Sequence, residues 1–103
     1  MPQTPYAAPV GFSYAHISSA TTTAVKATSG VLGRVIINSA SDGTITLYDN
    51  TAASGTVIGV ITISTPITVP TAVIYSDFGY AVTFKTALTI VTSATCDLTV
   101  MFR

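Results

Sequence analysis

A chain of 103 residues with 49% apolar and only 8% charged residues is too apolar, and too rich in β-branched side chains, for a disordered segment. Its length predicts one domain with a modest core. Four basic and four acidic residues cancel, which leaves no electrostatic footprint for nucleic acid, and a lone cysteine, Cys96, excludes an internal disulfide or a cysteine-built metal cluster.

No segment reaches the roughly 18 apolar residues of a membrane helix, so no membrane partner is expected. The longest greasy run, VIGVITI at 57–63, has the length of a strand. The opening MPQTPYAAPVG lacks the positive and apolar regions of a secretory signal. A neutral, charge-poor surface protects weakly against self-association. This composition therefore predicts a surface largely covered by partners.

Residues 1–11 contain Pro2, Pro5 and Pro9. Proline removes backbone donors and biases its neighbours toward extended forms. The segment reads as an extended N-terminal arm, with residues 12–103 as a single domain. From residue 12 onward Thr, Val and Ile dominate, and these pack well on a pleated surface. Strands are predicted at 12–17, 22–28, 31–38, 44–49, 56–63, 72–77, 80–84, 87–92 and 96–102. Short strands at this spacing point to an all-β fold, an antiparallel β-sandwich of jelly-roll-like type or a small barrel.

Alternation is clean in TITLY, where Ile45 and Leu47 share a face, and in CDLTVMF, where Cys96, Leu98, Val100 and Phe102 do. Two other runs are apolar on both faces. VLGRVIIN sets Val31, Val35 and Ile37 against Leu32 and Ile36. VIGVITI sets Val57, Ile61 and Ile63 against Ile58 and Val60. A sandwich covers only one face of each strand, so Ile36, Ile58 and Val60 become candidates for a subunit interface. The alternative is local twist and imperfect patterning.

Chemistry is sparse. Asp42-Gly43 reads as a two-residue hairpin turn. Asp49-Asn50 reads as a turn whose side chains cap their own backbone, with Gly55 supplying permissive φ. One strand holds these aspartates about 20 Å apart, whereas acid/base carboxylate pairs work at about 5 to 9.5 Å. His16, the only histidine, has no acidic neighbour in sequence and reads as a packed or interface residue. Cys96 falls on the inward face of its strand, as a small hydrophobe. No GxSxG elbow or phosphate loop is present. The reading is of no catalytic residue, no cofactor and no metal. Tyr6, Tyr14, Tyr48, Tyr75 and Tyr80, with Phe12 and Phe78, form the contact inventory, since tyrosine suits half-buried interfaces. YSDFGYAVTF at 75–84 is either an inter-strand turn or a contact loop.

GTITLYDNTAASGTVIG (43–59) followed by FKTALTIVTSATCDLTVMFR (84–103) resembles small all-β virion proteins of tailed bacteriophages, over about residues 24–103. That family has a G-T-hydrophobic-T-L-Y-D-N hairpin and a closing strand pair. It usually has glycine where this chain has Ala87, and often where it has Ala94. The resemblance implies a structural component of the particle, on the capsid surface or tail, with no catalytic residues. The expectation is a capsid decoration or stabilising protein. It would assemble as a homo-oligomer, with a trimer favoured, and bind other virion proteins such as the major capsid protein. The alternative is a tail- or fibre-associated module that recognises a cell-surface glycan or receptor through residues 75–84 or the loop 49–55.

Overall fold

The computed structural model describes residues 12–74, 76, 77 and 80–103. The described residues form ten strands and no helix: β1 (Ser13–Ile17), β2 (Thr22–Lys26), β3 (Gly30–Ala40), β4 (Gly43–Tyr48), β5 (Val57–Ile63), β6 (Thr71–Ile74), β7 (Ser76–Asp77), β8 (Tyr80–Phe84), β9 (Leu88–Thr92) and β10 (Cys96–Phe102). The run predicted at 72–77 is divided between β6 and β7. The arm at 1–11 lies outside the described residues.

The strands make two antiparallel sheets. The first runs β1-β10-β3-β8-β7, with β6 also on β3, and the second runs β2-β9-β4-β5. The eleven-residue β3 is the spine of the first sheet. β10 lies along one side of it, while β8 pairs with Gly30–Leu32 and β6 with Arg34–Ile37 on the other. One apolar cluster joins the sheets, with Leu32, Ile37 and Leu98 from the first and Leu47, Leu88 and Ile90 from the second, all fully buried. Each such side chain contributes about 1.5–3 kcal/mol by leaving water.

Three bulges account for the strands that read as apolar on both faces, two along β3 and one in β5. Along β3 the register with β10 slips between Met101 and Phe102 and again between Asp97 and Leu98. An extra residue changes the phase of a period-two pattern. Leu32, Val35, Ile37 and Ala40 are therefore all buried on one face. In β5 the register with β4 slips at Ile58, between Leu47 and Tyr48 on the partner strand. Ile58 consequently packs against the core with Ile61, and the outward apolar pair is Val57 and Val60.

Asp42-Gly43 is not a hairpin turn. β3 lies in the first sheet and β4 in the second, so residues 41–42 form a corner between sheets. That corner runs beside the β9–β10 corner, where Ser41 N–H donates to Thr95 C=O and Ser93 N–H to Thr44 C=O. A Cβ on Gly43 would stand 2.8 Å from the Ala94 methyl and the Ser93 hydroxyl. Close approach of two corners is what requires the glycine. The β1–β2 corner adjoins them, with Thr92 N–H donating to Thr21 C=O and the Thr92 hydroxyl to Ser19 C=O.

Candidate functional site

Asp49 lies just beyond β4 and does not cap its own turn. Its carboxylate accepts the backbone N–H groups of Lys85 and Thr86, each at 2.8 Å, and of Ala87 at 3.3 Å. The β4–β5 loop is thus fastened to the β8–β9 turn, some 36 residues on in the chain. The N–H donors of Lys85 and Thr86, the largest influences, hold the carboxyl below its ordinary 3.8. Asn50 closes the loop itself, donating to Ser54 C=O and accepting Thr51 N–H. Thr89, on β9, donates its hydroxyl to Asn50 C=O. Gly55 has φ +81°, a left-handed conformation that favours glycine. Asn50 thus shapes the loop, and Asp49 anchors it to the β8–β9 turn.

On the outward face of the first sheet, β1 brings His16 to β10. His16 Nε2 lies 2.7 Å from the Asp97 carboxylate, which also accepts the Asn38 amide at 2.8 Å. The hydrogen bond with His16, followed by that from Asn38, holds the Asp97 carboxyl below its usual range. The pair is open to solvent, His16 by 52% and Asp97 by 39%. Around it stand Thr99 and Ile36, which share its cross-strand row. This gives a histidine oriented by a carboxylate, but among the described residues no hydroxyl or thiol nucleophile hydrogen-bonds to the imidazole. Cys96 is buried on the opposite face, and desolvation pushes its thiol pKa up, which opposes thiolate formation. Among the described residues no three His, Cys, Asp or Glu side chains converge to hold a metal ion. A hollow of about 230 Å³ between Ser39–Ser41, Pro66–Thr68 and Thr95 offers hydroxyls and apolar carbon but no titratable group. None of these places assembles a nucleophile, a base and an oxyanion donor together.

The apolar surface is more distinctive. Tyr14 on β1 is 72% exposed, Val60 on β5 is 54% exposed, and Phe12, Val57 and Val69 are exposed as well. Phe12 covers Gly33, where a Cβ would meet its ring at 2.9 Å, and the Arg103 guanidinium stacks on that ring at 4.9 Å. Ile36 points outward and is half-buried between Thr99 of β10 and Ala72 of β6. Ile58 faces the core. Tyr80 opens β8, while Tyr6, Tyr75 and Phe78 lie outside the described residues. Of the predicted contact residues that the structure describes, Tyr14 and Ile36 lie on the first sheet and Val60 on the second. Set against family models, curated proteins and solved structures, the chain matches none of them.

Proposed function

We propose that this chain is a non-enzymatic structural subunit of a tailed-bacteriophage virion, a jelly-roll sandwich that acts as a capsid decoration protein. It assembles with itself, as a trimer or larger ring, and with other virion proteins such as the major capsid protein. The observation that carries the reading is the nesting of the strand pairs. The first strand pairs with the last, β2 with β9, β3 with β8 and β4 with β5, and the two sheets read β1-β10-β3-β8 and β2-β9-β4-β5. This is the order of a chain folded double and then rolled into two sheets, an architecture used by viral capsid and lectin domains. The short β6 and β7 are additions beside β3 and β8. The likeness of residues 43–59 and 84–103 to phage virion proteins points to the capsid branch.

The lectin-like branch, a tail or fibre module for a glycan or receptor, would use the loop 49–55. Asp49 and Asn50 are already occupied with backbone partners there, which favours assembly over sugar recognition. Mass spectrometry of purified particles of the phage that carries this sequence tests the proposal. The chain is expected in the particle at a copy number that is a multiple of its symmetric oligomer. Its absence from intact particles, with abundant free protein in the lysate, would refute the virion role.

A further inference from the structure

We infer that the free edge of β5 is a self-association surface that pairs with β5 of a second copy of this chain across a two-fold axis. The inference rests on the self-assembly reading above and names a two-fold contact, which builds even-numbered assemblies, a dimer or two trimers joined edge to edge, in place of a lone trimer. β5 bonds to β4 on one side, and among the described residues no strand bonds to its other side. The direction of its backbone groups follows from β4. Thr44 C=O accepts Ser93 N–H on the β9 side, and Asp49 N–H donates to Thr56 C=O on the β5 side. Successive residues of a strand turn their backbone groups to opposite sides. Ile45 and Leu47 therefore serve β5, and their mates Ile61 and Gly59 face back to β4. Val60 and Thr62 are left presenting N–H and C=O to the free edge.

Natural edges are protected by charge, proline, shortness, a bulge or a cover. β5 has seven residues, no proline and no charge. Its one bulge lies at Ile58 and leaves 59–63 in regular register with β4. What completes this edge must be an extended, uncharged strand. A two-fold contact sets one patch against itself, with residue i on j and j on i, so a patch of one charge sign repels its copy and an uncharged one does not. β4, β5 and β9 contain none of the chain's eight charged residues, and Lys26 of their sheet lies on β2, the opposite edge, so the patch around the β5 edge has no charge to repel its own copy. An antiparallel ladder centred on Ile61 sets Val60 opposite Thr62 of the second copy, so each residue's edge-facing groups meet the other's. It also sets Ile61 beside its own copy, covering the half-exposed rim of the core, and extends the outward surface of Val60, Thr46 and Val91. Residues 1–11 of a neighbour are a poorer occupant. Pro2, Pro5 and Pro9 leave no donor-bearing run longer than three residues between them.

The test is the mass in solution, by light scattering on size exclusion, of the full chain, Val60→Pro, Val60→Lys and a variant lacking 1–11. Proline at 60 removes an N–H that β4 does not use, and lysine at 60 is a charge on an already exposed position. Circular dichroism gives the β signal of each. The contact predicts an even-numbered species for the full chain, a halved mass for both Val60 variants with the β signal retained, and no change on removing 1–11. An odd-numbered species, or an oligomer whose mass neither Val60 variant changes, would overturn the β5 contact and leave self-assembly standing. So would a mass that falls only when 1–11 are removed. A full chain that is monomeric at every concentration would overturn both.

Discussion

Asp49 and Asp97 are the side chains on which the electrostatics of this fold turn. Each carboxylate is held in the ionised form by donors far away in sequence, Asp49 by the backbone of 85–87 and Asp97 by His16 and Asn38. Both are lowered from 3.8 in the folded chain. The unfolded chain therefore takes up protons first as acid is added, and protonation drains stability from the native state. The contribution is whole above about pH 5 and is lost as pH falls below 3.8 through the folded values. Urea midpoints measured from pH 7 down to pH 2 are expected to fall at the acid end for the natural chain. Asp49→Asn and Asp97→Asn should start lower at pH 7 and give flatter profiles. Profiles parallel to that of the natural chain would contradict these roles. Salt should weaken the contribution of the exposed His16–Asp97 pair more than that of the Asp49 tie.

At the scale of single strands, bulges decide which apolar residues are buried. Ile58 and Val57 are neighbours of similar character, yet Ile58 packs on the core and Val57 is 46% exposed. Ile58→Lys is expected to destabilise the isolated chain by roughly 1–3 kcal/mol through a desolvated charge. Val57→Lys should stay within about 0.5 kcal/mol. Equal effects in chemical denaturation would mean that the bulge does not set the phase of β5. Strand positions were readable from the sequence because Thr, Val and Ile are dense and the breaks are rich in Ser, Thr and Ala, with Asp, Asn, Gly or Pro at 41–42, 49–56 and 64–70. The faces of TITLY and CDLTVMF were readable because no extra residue interrupts their alternation. The faces of β3 and β5 were not, since a bulge leaves no mark in composition. The partners of Asp49 and His16 were hidden for another reason. They come from long-range contacts, β1 with β10 and the β4–β5 loop with the β8–β9 turn, that only the order of strands in the two sheets creates. Asp42-Gly43 misleads in the same way. The dipeptide marks a sharp reversal, but whether that reversal is a hairpin or a corner depends on which sheet the next strand joins.

The whole molecule presents two unlike outward faces. Arg34, His16 and Asp97 place charge or titratable groups on the first sheet. β4, β5 and β9 of the second sheet present Thr, Val and Tyr without a charge. One cluster of buried residues serves both sheets, so the asymmetry is not required by the core. It is what a small subunit needs when one side meets solvent and the other meets copies of itself. In the proposed assembly the nested strand order is the frame, and the open edge of β5, at the side of the second sheet opposite Lys26 of β2, is the contact. The proposed virion role depends on self-assembly. The most direct test is light scattering coupled to size exclusion on the purified natural chain over a hundredfold range of concentration. A discrete, concentration-stable oligomer is the result this structure predicts. A monomer at every concentration would contradict it.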